Sequence, residues 1–390
     1  MRLLIAADIF PPESGGPATY CVTLANELVK QGIKVKIVSL NKQSDKGVLD
    51  PKVKLYRVHF KNMLFRYGEY FLLLWVLIWR TDIVYAMGPV NAGWPARLAC
   101  LLRPRKKKLA VKVVGDYAWE QGQVLGLVKE GIDDFQKRQY RGKIGSLRNK
   151  EIAVTKHASL VIVPSEYLEE LVIGWGVNPE RVRVIYNEVF LPTELLTELA
   201  SSPKNLKRII IIGRLMPWKG VMTMVEIMPE LLRRDSSYQL VIIGDGPERG
   251  RIQSLIQQLQ LESAVQMLGP LSHDQALREM AKSGLLVLNS RYEGLPHVIL
   301  ESWLVGCPVF ASNIVAHVEL LQRRYQFPDG LLFKPDEKEV MISGILKLTT
   351  DNKTREIIIK NRQQLLPNKG LSGDNMIALT RQALQQVCAS

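Results

Sequence analysis

The residues best suited to chemistry are two carboxylates and two cations in the C-terminal half of the chain. Glu293 and Glu301 sit in Ser290-Arg-Tyr-Glu-Gly-Leu-Pro-His-Val-Ile-Leu-Glu-Ser302, directly after the apolar run Leu285–Leu288. Pro296 suits a first helical position, so Glu293 falls in the loop just before a helix and Glu301 further along it. A loop carboxylate there can accept sugar hydroxyls, and one on the helix can take both hydroxyls of a ribose. The amides of Gly294 and Leu295 at the helix start add donors for an anion. The alternative is an ordinary helix-start acid followed by a solvated face.

The cations are Arg214 and Lys219, in Gly213-Arg-Leu-Met-Pro-Trp-Lys-Gly220, between the strand-like run Arg208–Ile212 and a helix expected to begin near Gly220. Strand, basic loop, then helix N-terminus makes an anion site in which backbone N–H groups and side-chain charge act together. A diphosphate fits it; a surface loop that happens to be basic is the competing reading. A further glycine loop, Gly244-Asp-Gly-Pro-Glu-Arg-Gly250, superficially resembles a dinucleotide fingerprint. That motif needs an acid at the end of the next strand to hold a ribose. Here the strand ends Met267-Leu-Gly-Pro270, which disfavours a nicotinamide enzyme.

Elements that position such loops are readable from the apolar rhythm. Short buried runs alternate with amphipathic segments at Leu3–Ala7, Ile33–Leu40, Val53–Phe60, Ile83–Tyr85, Leu109–Val114, Leu160–Val163 and Val182–Ile185. The rhythm stops at Asn187–Lys207 and resumes at Arg208–Ile212, Leu240–Ile243, Val265–Met267, Leu285–Leu288, Val309–Phe310 and Leu331–Phe333. This is the pattern of an α/β protein with two doubly wound parallel sheets. The expected domains are residues 1–190 and 191–373, with a last helix at about 374–390. In such sheets ligands bind outside the carboxyl ends of strands, which is where the chemical loops fall.

Composition narrows the classes. At 390 residues the chain is comfortable for two domains, and 47% hydrophobic with 23% charged residues is ordinary for a globular protein. Cys21, Cys100, Cys307 and Cys388 show no metal or disulfide spacing, and neither do the five histidines, so no metal is expected. There is no Gly-x-Ser-x-Gly elbow for hydrolysis. The apolar stretch Tyr70–Trp79 is about half the length of a bilayer crossing, and the opening MRLLIAADIFPPES is too short in apolar residues for a signal peptide. A cytoplasmic protein is expected.

The net charge of +14 is concentrated in two clusters: Arg103, Arg105, Lys106, Lys107 and Lys108, then Lys137, Arg138, Arg141, Lys143, Arg148 and Lys150. They are either solvated faces or an attraction to anionic membrane on the cytoplasmic side. No nucleic-acid-binding signature accompanies them. Phe65–Trp79 is strongly apolar and aromatic; it reads either as a buried helix or as a segment that rests on a membrane.

Taken together, Gly213-Arg214-Leu, Trp218-Lys219-Gly220, Gly244-Asp-Gly-Pro247, Glu293 with Glu301, and the Pro11-Pro…Gly15-Gly16 loop resemble the family-4 retaining glycosyltransferases of the GT-B fold. The resemblance runs nearly the whole chain. It implies two Rossmann-like domains facing each other across a cleft, a nucleotide-sugar donor held mainly by the second, a glycan or lipid-linked acceptor, no cofactor or metal, and a last helix that crosses back onto the first domain. It implies that Arg214 and Lys219 bind the diphosphate with Gly213, Gly244 and Gly246 beside them. Glu301 would bind the ribose, and Glu293 with the Gly294 and Leu295 amides the transferred sugar. Gly16 would allow close approach to the donor phosphate. Members often carry a histidine where this chain reads Val113-Val-Gly-Asp116, which makes Asp116 a catalytic candidate or a helix cap. His297 is either donor-adjacent or structural.

The reaction expected is substitution at the anomeric carbon with retention, in cell-surface polysaccharide or glycoconjugate synthesis. Rival readings are a nucleotide-sugar epimerase or phosphorylase on the same fold, and a catalytically silent nucleotide-sugar-binding subunit.

Overall fold

The computed structural model describes residues 1–13, 16–41, 47–103, 107–189, 191, 193–324, 332–351 and 374–389. Ser14, Gly15, Arg105, Lys106 and Leu331 lie outside the described residues. The chain divides into two compact units. Unit 1 comprises Met1–Gln121, Lys137–Tyr186 and Asp374–Ser390; unit 2 comprises Gly122–Gln136 and Asn187–Gly373. The change of unit thus falls at Tyr186/Asn187 instead of after residue 190, and Gly122–Gln136 groups with the second unit.

Unit 1 holds a seven-stranded parallel sheet in the order β3-β2-β1-β4-β5-β6-β7. Its strands are β1 (Arg2–Ala7), β2 (Lys34–Ser39), β3 (Lys54–Arg57), β4 (Ile83–Ala86), β5 (Lys108–Lys112), β6 (Leu160–Val163) and β7 (Val182–Val184). Unit 2 holds a six-stranded parallel sheet in the order β10-β9-β8-β11-β12-β13. Those strands are β8 (Asn205–Ile212), β9 (Gln239–Ile243), β10 (Val265–Gly269), β11 (Ser283–Leu288), β12 (Val309–Ser312) and β13 (Leu332–Phe333). Continuous burial of Leu3, Leu4, Ile5 and Ala6 on β1, and of Leu285, Leu286 and Val287 on β11, follows from helices covering both faces.

The last helix, Asp374–Ala389, packs into the core of unit 1 through Met376, Ile377, Ala383 and Leu384. Tyr20 Oη and Thr380 Oγ1 hydrogen-bond at 3.4 Å, and Lys108 Nζ donates to the Val387 carbonyl at 2.5 Å. The four cysteines are free, three of them buried.

The helix Met63–Leu77 overturns the buried-helix reading of its sequence. Within it only Tyr70 and Leu74 are buried, whereas Phe65, Leu72 and Val76 are exposed, with Trp79 in the following turn. Spacing of three to four residues puts Leu72, Val76 and Trp79 on one stripe. Leu101 and Leu102 are also exposed, and the Arg103 guanidinium stacks on Trp75 and Trp79 at 4.0 and 4.2 Å from the ring centroids. No helix among the described residues is long and apolar enough to cross a membrane.

Candidate active site

The strand order of unit 2 reverses between β8 and β11, and both loops with chemical character leave the carboxyl ends of these adjacent strands. After β8, Pro217–Lys219 forms a short 3₁₀ turn, and Gly220 adopts the left-handed conformation (φ 62°) before the helix Val221–Arg234. A side chain at Gly220 would place its Cβ 2.3 Å from the Asn289 carbonyl oxygen, so this position needs glycine for both conformation and close approach. After β11, the Arg291 amide donates to the Trp218 carbonyl (2.8 Å), which ties the second loop to the first.

This arrangement brings Lys219 and Glu293 together. Lys219 Nζ donates to Glu293 Oε1 at 2.5 Å, and Ser290 Oγ donates to the same oxygen at 2.7 Å. The side chains are 23% and 12% exposed, so the pair is partly shielded and still reachable from solvent. Burial by itself would raise the Glu293 carboxyl, but the Lys219 charge and the bonds from Lys219 and Ser290 outweigh it and hold the group below its usual range. His317 adds to this only when protonated. Its pKa is pushed down to about 4, chiefly by burial, so it is neutral at pH 7. Among the described residues Oε2 of Glu293 accepts no hydrogen bond, and the ammonium of Lys219, with three donors, uses one. A fixed carboxylate with one oxygen open, beside a cation with donors to spare, can hold a hydroxyl and an anion at the same time.

Glu301 lies on the helix His297–Leu304, which begins one residue later than the sequence suggests, with Pro296 as its N-cap. Its Oε1 accepts from His273 Nε2 at 3.0 Å. The bond to Glu301 raises the His273 pKa against the opposing effect of burial. The sequence reading missed this partner.

Gly244 and Gly246 lie beneath the Arg214 loop. A Cβ on Gly244 (φ 132°) would come 1.9 Å from the Gly213 carbonyl oxygen, and one on Gly246 would come 2.4 Å from that of Leu215. The Leu215 amide donates to the Asp245 carbonyl (2.9 Å), and Gly213 N–H to that of Ile243 (3.0 Å). These glycines therefore shape the Gly213–Leu215 backbone. Arg214 itself is exposed at the loop surface, and Leu295 is buried.

Several residues outside the expected set hold the two loops in register. Asn289 Nδ2 donates to the Gly220 carbonyl (3.2 Å) and to Asp336 Oδ1 (2.9 Å), and Asn289 Oδ1 accepts from the Asp336 amide (3.0 Å). Asp336 also accepts from Thr223 Oγ1 at 2.7 Å and from Arg291. Under Glu293, Ser312 Oγ donates to the Ser290 carbonyl (2.5 Å), and the fully buried His317 uses Nδ1 on the Ser312 carbonyl (2.7 Å). Asn289 and Ser290 could have been suspected from their place at the end of β11. Asp336 has no local signal.

In unit 1, Asp116 is buried and its Oδ1 accepts from the Trp119 amide (2.8 Å) at the start of the helix Tyr117–Val124. This is the capping reading of that residue. Glu151, equally buried, accepts from the Tyr117 and Ala118 amides, and burial followed by the Asp116 charge lifts it well above the usual carboxylate range. Gly16 opens the helix Gly16–Lys30 and is exposed; among the described residues, its chain neighbours and its own helix backbone aside, no atom lies within 4 Å of a Cβ built there. His297 Nε2 accepts from Asn187 Nδ2 (3.0 Å), a structural contact inside unit 2. Among the described residues no group of three or more His, Cys, Asp or Glu is placed to hold a metal ion.

Comparison with known proteins agrees with this architecture. Residues 197–365 match glycosyl transferases group 1, and residues 14–189 match Glycosyltransferase Family 4. The chain belongs to the group 1, family-4 glycosyltransferases, with an α/β fold of the GT-B class. It is similar to the uncharacterized glycosyltransferase MJ1607 of Methanocaldococcus jannaschii, with 26% identity over 96% of each chain. It is also similar to the phosphatidylinositol N-acetylglucosaminyltransferase gpi3 subunit of Schizosaccharomyces pombe, at 26% identity over 81% of this chain and 67% of that one. Among solved structures it resembles Anabaena HepE in complex with UDP (TM-score 0.73, 18% identity, 99% of this chain and 100% of that one). Sucrose-phosphate synthase from Thermosynechococcus elongatus is similar too (TM-score 0.75, 18% identity, 100% and 99%).

Proposed function

We propose that this glycosyltransferase takes a hexosyl or related group from a nucleotide-sugar and places it, with retained anomeric configuration, on a glycan or lipid-linked acceptor of cell-surface polysaccharide or glycoconjugate synthesis. The observation that carries the reading is the Lys219–Glu293 pair at the β8/β11 switch point, with Glu301 on the next helix. Lys219, Arg214 and the N-terminus of the helix Val221–Arg234 would meet the diphosphate, whose negative charge grows as the sugar departs. These groups supply the positive charge that metal-dependent transferases draw from a cation. Glu293 Oε2 would accept a hydroxyl of the moving sugar and Glu301 the ribose. Attack on the face from which the diphosphate leaves, with a phosphate oxygen taking the acceptor's proton, gives retention. The similar Anabaena HepE was solved with UDP and with UDP-glucose, which supports a nucleotide-sugar donor here.

A thermal-shift screen over nucleoside diphosphates and nucleotide-sugars tests this. At a concentration of about 100 times Kd the right ligand adds about 2.7 kcal/mol to stability, so one nucleotide series is expected to raise the melting midpoint by several degrees. A flat response to every nucleotide would remove the reading. An epimerase would, in addition, convert its donor without any acceptor.

The exposed stripe Leu72, Val76 and Trp79, with Leu101, Leu102 and the Trp-stacked Arg103, supports peripheral contact with an anionic membrane on the cytoplasmic face. Trp79→Ser together with Leu102→Ser is expected to reduce co-sedimentation with vesicles containing phosphatidylglycerol several-fold. A chain that stays in the supernatant at low salt before any substitution would dismiss the contact.

A further inference from the structure

Glu301 is tied to a neighbouring helix of unit 2. The helix His273–Ala281 follows the carboxyl end of β10 and packs beside the helix His297–Leu304. His273 is its first residue and donates from Nε2 to Glu301 Oε1 at 3.0 Å. An ionised carboxylate can only accept, so Nε2 carries the hydrogen. His273 is itself held in place by the cap that precedes it. Ser272 Oγ accepts from the Gln275 amide (3.3 Å), and Gln275 Oε1 accepts from the Ser272 amide (3.0 Å).

The two partners differ in stiffness. The imidazole has two side-chain torsions and stands on a capped helix, whereas Glu301 has three torsions and costs more entropy to order. Among the described residues the bond from His273 is the only one its carboxylate makes: Oε2 accepts none, and Oε1 keeps a second lone pair. This repeats the arrangement at Glu293, which Lys219 and Ser290 hold through Oε1 with Oε2 open. The bond to Glu301, helped by the charges of Glu301 and Asp274, raises the His273 pKa in spite of burial and of a helix N-terminus, where positive charge is disfavoured. The side chains are 52% and 19% exposed, so a ligand can reach the carboxylate while the ring holds it.

Resting on the reading above that places Glu301 on the ribose, we infer that His273 is a positioning residue that sets the Glu301 carboxylate for the ribose hydroxyls and thereby decides the preference for a ribonucleotide donor. Two vicinal hydroxyls donate to the two oxygens of one carboxylate only when its plane is fixed, and the Nε2–Oε1 bond fixes it without blocking either oxygen. A sugar carried on a 2′-deoxynucleotide forfeits one of those bonds, so the donor class is that of the ribonucleoside diphosphate sugars.

The full chain is titrated calorimetrically with UDP, GDP and ADP and with the 2′,3′-dideoxy form of each. In the base series that binds, the wild type is expected to prefer the ribonucleotide by at least about tenfold, the size of one hydrogen bond to a charged group. In His273→Ala the preference is expected to shrink to about threefold or less, because the ribonucleotide weakens while the dideoxynucleotide holds. A merely structural role would weaken both nucleotides alike. His273→Gln, which keeps an N–H donor at similar reach, is expected to stay within about twofold of the wild-type preference. Full preference in a folded His273→Ala overturns the inference, and so does a His273→Gln no better than the alanine variant. A wild type that binds a base series without preferring its ribonucleotide instead overturns the placement of Glu301 on the ribose. One that binds no nucleotide at all overturns the transferase reading beneath both.

Discussion

Lys219→Ala is expected to lower the rate of sugar transfer by about 10²–10³-fold, the loss typical of one pre-aimed group that stabilises charge in a transition state. It is also expected to destabilise the fold, because Glu293 is left partly buried with its negative charge uncompensated. Breaking a buried pair costs about 3–5 kcal/mol, and the 23% and 12% exposure of these side chains places this one at or below the lower end. In the variant the Glu293 carboxyl rises above the 4.5 of an unperturbed glutamate, so the stability deficit is expected to be full at neutral pH and to shrink as the pH falls and the carboxyl takes up a proton. Combining Lys219→Met with Glu293→Gln removes both charges and is expected to recover most of the lost stability while transfer stays low. Urea unfolding and initial rates on the three proteins check both halves. A single variant within a few-fold of wild-type activity, or a double variant no more stable than Lys219→Ala, would contradict the assignment.

The second large effect is expected at Gly244. A Cβ there would stand 1.9 Å from the Gly213 carbonyl oxygen, on a backbone with φ 132°. Both atoms of that clash belong to structures with little freedom: main chain on one side and the end of a central strand on the other. Gly244→Ala must push the Gly213–Leu215 loop away, at a cost of about 2–5 kcal/mol from strain and overpacking together. Nucleotide-induced thermal stabilisation is expected to disappear with it, because Arg214 and the turn leading to Lys219 ride on that loop. Gly250→Ala is the built-in contrast. Gly250 lies in the helix Arg249–Gln258 and, among the described residues, its chain neighbours and its own helix backbone aside, no atom stands within 4 Å of its would-be Cβ, so there alanine is expected to be neutral or to stabilise by up to ~1 kcal/mol. Equal effects at the two positions would mean that Gly244 is not the brace the geometry indicates.

Much of this architecture was legible in the order of the residues. Each of the thirteen described strands overlaps a β-type run read from the sequence, most clearly β4, β6 and β11, which are buried along their whole length and so must be largely apolar. The loops after β8 and β11 stood out because Arg, Lys and Glu are conspicuous where a buried strand ends. Other features were hidden for a physical reason. The Lys219–Glu293 bond joins positions 74 apart, and the Asn289–Asp336 bond positions 47 apart; strand crossovers bring each pair together and leave no periodic trace in the chain. The sequence suggested Gly244 and Gly246 as donor contacts, but gave no sign of the close approach by which they shape the loop that carries Arg214. Composition could not separate a buried helix from a surface one at Met63–Leu77, since apolar content says what a helix could cover and not what covers it.

The central claim is that the Lys219–Glu293 pair grips a nucleotide-sugar. Calorimetric titration of the wild-type chain and of the Lys219→Met, Glu293→Gln double variant, with the nucleoside diphosphate and its sugar conjugate, tests it most directly, because the double variant separates binding from folding. The account predicts that the wild type binds both ligands and that the stable double variant binds each at least about tenfold more weakly, a difference of about 1.4 kcal/mol. Equal affinity in the two proteins would contradict it.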